Sequence, residues 1–146
     1  MAYQFIQLTD NTVGAVATDA LLPLGNVTRR YANNCGCEDT FIVSTSGSDT
    51  VTITESGFYK VSYTGSLIPA AAGALTLELT ANGITVNTVS DTVAAAGDIT
   101  NISLEYIIRV LPNCCSTINN PVILQIVNAG VALTGGTSNL IIEKVR

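Results

Sequence analysis

The stretch Asp49-Thr50-Val51-Thr52-Ile53-Thr54-Glu55-Ser56-Gly57-Phe58-Tyr59-Lys60-Val61-Ser62-Tyr63 decides the fold class. Two strand-sized runs, Thr50–Thr54 and Phe58–Leu67, flank the turn Glu55-Ser56-Gly57. In the second run Tyr59, Val61 and Tyr63 point one way and Lys60, Ser62, Thr64 and Ser66 the other. That period of two belongs to a strand with one dry face. Leu75-Thr76-Leu77-Glu78-Leu79-Thr80 repeats the alternation and assigns Leu75, Leu77 and Leu79 to the same core. Asn82-Gly83 follows, and Ile84-Thr85-Val86-Asn87 resumes the pattern, which predicts a hairpin with a type I′ turn.

Further runs of the same size occur at Tyr3–Leu8, Thr40–Thr45, Ile99–Leu111, Val122–Asn128 and Asn139–Val145. Between them lie Thr45–Asp49, Pro112-Asn113, Asn119-Asn120-Pro121 and Gly135–Ser138, all rich in turn-forming residues. Val (14), Ile (14) and Thr (19) make up about a third of the chain, and their branched β-carbons favour strands. Ala70-Ala71-Ala72-Gly73 and Ala94-Ala95-Ala96-Gly97 are too short to stand as helices and end in Gly, so they read as loops. One all-β domain, a sandwich or barrel, is the expectation.

The composition narrows the function. The 146 residues suit one domain that buries about 70% of its unfolded surface. Apolar types reach 47% and charged types 12%, the reverse of a disordered chain. There is no His, so Ser–His–Asp and Cys–His hydrolase chemistry is excluded. The net charge of −5 and six scattered basic residues, of which only Arg29 and Arg30 adjoin, argue against nucleic acid as a partner. No apolar run approaches a membrane span, and Met1-Ala2-Tyr3-Gln4-Phe5 lacks the basic start and apolar stretch of a secretory signal.

Candidate chemistry is sparse. Eleven carboxylates are dispersed, with Glu38-Asp39 the only adjacent pair, and no Gly-rich phosphate loop leads from a strand into a helix. Asp91, Asp98 and Asn101 offer oxygens to a calcium ion, short of the six to eight that it takes. No catalytic residue, metal ligand set or cofactor is assigned.

The four cysteines are more distinctive. Cys35-Gly36-Cys37 lies in a polar loop and Cys114-Cys115 between two apolar runs. Spacing does not choose among the three intrachain pairings of four cysteines. A bridge between neighbouring residues is strained, which favours cross-bridges from Cys35 and Cys37 to Cys114 and Cys115, within or between subunits, worth about 2–4 kcal/mol each. A four-Cys zinc site has the ligand count but not the usual C-x2–4-C spacing, and free thiols are the third reading.

The order of strands and turns resembles a known superfamily. The Asp49–Tyr63 segment is similar to the strand, Gly turn and Tyr-x-Val-Ser-Tyr run of the trimeric jelly rolls. These are the tumour necrosis factor-like and complement 1q-like modules and, nearest in its pieces, the C-terminal domain of the collagen-like glycoprotein of bacillary spores. Leu22-Pro23-Leu24-Gly25, Leu79-Thr80-Ala81-Asn82-Gly83 and Asn120-Pro121-Val122-Ile123-Leu124-Gln125-Ile126 fall in the order of that family, and Leu133–Val145 resembles the closing strand of the spore-type modules. The resemblance covers roughly residues 16–146 and implies a single-domain jelly-roll β-sandwich of about ten strands that forms a homotrimer. Residues 1–15 are then an N-terminal extension or anchor strand. No Gly-X-Y stalk accompanies the domain, and the four cysteines are additions to the pattern.

A trimer also accounts for strands that are apolar on both faces: Ile107-Ile108-Arg109-Val110-Leu111, Val122–Val127 and Leu140-Ile141-Ile142. A sandwich core covers one face only, and a subunit interface covers the other. By strand parity Ile107, Ile123, Val127 and Ile141 are the interface candidates. The expected function is a non-enzymatic structural trimer on the exterior of a large assembly, with a bacteriophage capsid decoration or fibre-tip module ahead of a spore-coat or exosporium protein. The partners are then the chain itself and a capsid, fibre or spore layer, and the location is a virion or spore exterior. The alternative from another class is a receptor- or glycan-binding module, disfavoured by three Phe, five Tyr and no Trp.

Overall fold

A computed structural model of the chain describes residues 4–32, 42–43, 47–111 and 121–146. They form ten strands: β1 (Gln4–Val13), β2 (Asn26–Ala32), β3 (Ile42–Val43), β4 (Val51–Ile53), β5 (Gly57–Pro69), β6 (Gly73–Ala81), β7 (Ile84–Val93), β8 (Thr100–Val110), β9 (Val122–Asn128) and β10 (Leu133–Lys144). The first sheet has the order β2-β1-β10-β5-β8 and the second β3-β4-β9-β6-β7. Within a sheet the sequence joins only β1 to β2, β3 to β4 and β6 to β7; every other connection crosses to the opposite sheet. The crossings force sequence-distant strands together, and β5 is flanked by β8 on one side and β10 on the other.

Alternation puts one side of each strand between the sheets. Tyr59, Val61 and Tyr63 from β5 and Leu75, Leu77 and Leu79 from β6 are fully buried there. Ile6, Leu8, Ile53, Leu124, Ile126, Leu140 and Ile142 complete the layer. Asn82 (φ 51°) and Gly83 (φ 81°) both take the left-handed conformation that a type I′ turn requires between β6 and β7. The two Ala-rich stretches are bends and turns at the ends of β5 and β7, as their length dictates.

β1, which falls within the stretch expected as an N-terminal extension or anchor strand, pairs with β2 on one side and β10 on the other inside the first sheet. Two segments depart from the sequence reading. β2 itself was not anticipated, because Thr28-Arg29-Arg30-Tyr31 carries no apolar alternation and the strand is a sheet edge. Gly135–Ser138, read as a turn, belongs to β10. Gly136 (φ 142°) lies against the Ser66 carbonyl and Leu67 of β5, where a β-carbon would collide. The glycines serve close strand approach rather than chain reversal.

The β1–β2 connection is held down by backbone bonds and by one buried amide. Asn128 donates through Nδ2 to the carbonyls of Val131 (3.0 Å) and Ala17 (3.3 Å), and its Oδ1 accepts from the Gly130 N–H (3.3 Å). Leu22 and Leu24 of that connection lie in the core, their N–H groups donating to the carbonyls of Ile126 (2.7 Å) and Ser48 (3.2 Å). At the other end of the sandwich the Phe58 N–H donates to the Arg146 carbonyl (2.7 Å) and the Val145 N–H to the Phe58 carbonyl (2.8 Å), extending the β5–β10 ladder to the end of the chain.

Candidate functional site

The outward side of the first sheet is divided along its strands. Register places Val145, Phe58 and Arg109 side by side, then Tyr31, Phe5, Glu143, Lys60 and Ile107 in the next row. Ile107 is 56% exposed, Phe58 41%, Val145 53%, Tyr31 54% and Leu111, just beyond β8, 65%. The charges among them are balanced: Lys60 Nζ meets Glu105 at 2.8 Å, and the Arg109 guanidinium stands 5.7 Å from the Phe58 ring centre. The hydrogen bond to Glu105 holds the Lys60 ammonium above its ordinary pKa. On the inward side burial pushes the Tyr59 and Tyr63 phenols well above the usual tyrosine range, with the Glu55 carboxylate adding to the effect at Tyr59.

Towards the other end of the same face the outward residues lose both charge and apolar bulk. Thr9, Thr64, Ser66, Ser103 and Thr137 bring hydroxyls, and Asn11, Asn101 and Asn139 bring amides, to an open cleft of about 420 Å³. The cleft draws on β1, β5, β8 and β10. Two bonds orient its amides: Ser66 Oγ donates to Asn101 Oδ1 (2.6 Å) and Gln7 Nε2 to Asn139 Oδ1 (2.9 Å). Beside it Val13, Ile68 and Ile99 line a more apolar recess of about 400 Å³. Sequence reasoning missed this cleft because its walls are far apart in the chain. The available signal was an uncharged outward phase in each of four strands.

The four interface candidates do not form one patch. Ile107 of β8 and Ile141 of β10 lie on the outward side of the first sheet, Ile107 exposed and Ile141 half-buried. Ile123 and Val127 of β9 lie on the outward side of the second sheet, at the far side of the sandwich. Parity within each strand was read correctly, but parity does not say which sheet a strand joins. Cys35, Cys37, Cys114 and Cys115 lie outside the described residues. Of the calcium candidates, Asn101 Oδ1 accepts from Ser66 and Asp91 caps the Thr92 N–H (2.8 Å). Among the described residues no three Cys, Asp or Glu side chains are grouped for a metal. Among the described residues no helix is long and apolar enough to cross a membrane.

The strand order and its crossings have counterparts among solved structures. PRD1 vertex protein P5 superimposes with a TM-score of 0.63 at 15% identity, covering 98% of this chain and 97% of that one. The globular domain of zebrafish complement 1qA protein gives 0.62 at 10% identity, over 96% and 94%. Murine APRIL at pH 8.5 gives 0.58 at 10% identity, over 95% and 98%. This chain has the tumour necrosis factor/complement 1q-like jelly-roll fold. The chain matches no family model and no curated protein. The superpositions extend over at least 94% of each chain, and the low identities make the likeness one of fold. In jelly-roll terms the apolar block and the hydroxyl cleft share the outward face of the sheet that contains both β1 and β10.

Proposed function

We propose that the chain is a non-enzymatic structural protein that assembles as a homotrimer through the apolar block of the first sheet and stands on the exterior of a bacteriophage virion, as a capsid decoration, vertex or fibre-tip module. The observation that carries the reading is the cluster of Phe58, Ile107, Leu111, Val145 and Tyr31, each more than a third exposed, on one face of an otherwise well-filled sandwich. Exposed apolar side chains gathered at one end of a sheet face, with charges interleaved, mark an interaction surface. Lys60 and Arg109 offset the interleaved Glu105 and Glu143, and Arg29, in the row of Glu105 at the β2 edge, is the one further outward charge of these rows, so like charges are few at the contact. Cyclic symmetry closes the contact into a finite ring rather than a filament.

The likeness to a vertex protein supports placing the trimer on a virion. An antiserum raised against the purified chain tests the location. It is expected to decorate the outside of intact virus particles by immuno-electron microscopy. Unlabelled particles, with label confined to spores or to soluble protein, overturn the virion reading.

A further inference from the structure

The outward faces of the two sheets use the same residue types in different ways. On the second sheet part of the hydroxyls are taken up by one another and by their neighbours, Thr76 with Ser90 (2.9 Å), Thr85 to Glu78 (3.3 Å) and Gln125 to Thr50 (3.1 Å), while those of Thr52, Thr88 and Thr92 are spread over the face without a protein partner among the described residues and line no cleft with oriented amides. In the cleft of the first sheet the hydroxyls of Thr9, Thr64, Ser103 and Thr137 have no protein partner among the described residues. The Asn101 and Asn139 carbonyls are engaged, by Ser66 and Gln7, which leaves the Nδ2 group of each without a protein partner among the same residues. A concave surface with oriented and unspent donors and acceptors is equipped for a ligand.

The lining defines the chemistry of that ligand. None of the residues around the cleft is charged, so a phosphate, carboxylate or ammonium group would lose hydration and find no counter-charge. A polyol loses little, because each of its hydroxyls both donates and accepts, as do the Thr and Ser hydroxyls facing it. The adjoining recess shares Asn11, Ser66 and Thr137 with the cleft and adds Ile68 and Ile99, with Ile99 68% exposed. It supplies an aliphatic shelf for the C–H face of a sugar ring, the part that aromatic side chains more often cover.

We propose that the cleft and its aliphatic shelf form a binding site for a neutral glycan, at the end of the face away from the apolar block. The site is independent of the trimer reading: native mass decides the trimer, and sugar binding decides the cleft. The test uses the full chain on an array of neutral hexose and N-acetylhexosamine oligosaccharides printed beside sialylated and sulfated ones, followed by titration. A neutral oligosaccharide is expected to bind with an affinity indifferent to salt, weakened about tenfold by Asn101→Ala or Asn139→Ala. Thr64→Trp, which fills the cleft, is expected to abolish binding, and Thr88→Ala on the second sheet to leave it unchanged. Circular dichroism confirms that each variant is folded, and the two Asn variants decide the matter if Thr64→Trp is not. Absence of binding to every neutral oligosaccharide at millimolar concentration, tighter binding of the charged ones, or indifference to both Asn substitutions overturns the proposal.

Discussion

The outward faces of the two sheets are the instructive pair. Both belong to strands that alternate strictly, and both are rich in Thr, Ser and Asn. On the second sheet some hydroxyls bond across strands, and the exposed large apolar residues among the described residues are scattered singly, Ile123 (38%) in β9 and Ile84 (70%) beside the β6–β7 turn. The first sheet's face is segregated, with aromatic and aliphatic bulk at one end and unpaired hydroxyls at the other. A face that leaves apolar area and hydrogen-bonding capacity unspent, in separate blocks, is built to be covered.

The largest contrast is expected from charge insertion. Ile107→Asp places an unpaired carboxylate in the block and is expected to reduce the assembly to single chains in size-exclusion chromatography with light scattering. Ile123→Asp on the second sheet is expected to leave the assembly unchanged. Equal sensitivity of both positions would break the comparison.

Glycine replacement sharpens it next. Gly136→Ala forces a β-carbon onto the Ser66 carbonyl in a conformation that suits glycine, and is expected to cost about 3 kcal/mol in urea unfolding. Gly83→Ala, in the hairpin of the second sheet, sits at φ 81° in the left-handed region, which an L-residue reaches at lower cost, with open space around it, and is expected to cost about 1 kcal/mol.

The third test uses pH. Both raised phenols, Tyr59 and Tyr63, belong to β5 of the first sheet. A phenol whose folded pKa exceeds its unfolded value binds more protons in the folded state once the pH passes about 10, so stability falls as pH rises from there. Urea midpoints are expected to be insensitive to these groups at neutral pH and to drop above pH 10, less steeply in Tyr63→Phe. The smallest effect is expected at Thr76→Val, which removes one exposed hydroxyl pair of the second sheet and costs about 0.5 kcal/mol in the same assay.

Much of the fold was legible because local alternation carries it. The Phe58–Leu67 and Leu75–Thr80 runs state their own dry faces, and Asn82-Gly83 states its own turn. β2 was not legible, since an edge strand built on Arg29-Arg30 buries too little to need a pattern. The glycines of β10 misled because Gly135-Gly136 has the composition of a turn, while its role, close approach to Ser66 and Leu67, depends on a partner strand some 70 residues earlier. The site was the least legible part. Ile107 and Ile123 look alike in sequence, and only the crossing of connections between sheets puts them on opposite faces. The cleft needed the same long-range information, since Thr9, Thr64, Asn101 and Asn139 meet only through the pairing of β1, β10, β5 and β8.

The central claim is that the apolar block at one end of the first sheet's outward face is covered by further copies of this chain. Light scattering on the purified full chain, at micromolar concentration and neutral pH, measures this directly. The account predicts a mass three times that of the 15.2 kDa chain. A stable particle of single-chain mass would contradict it.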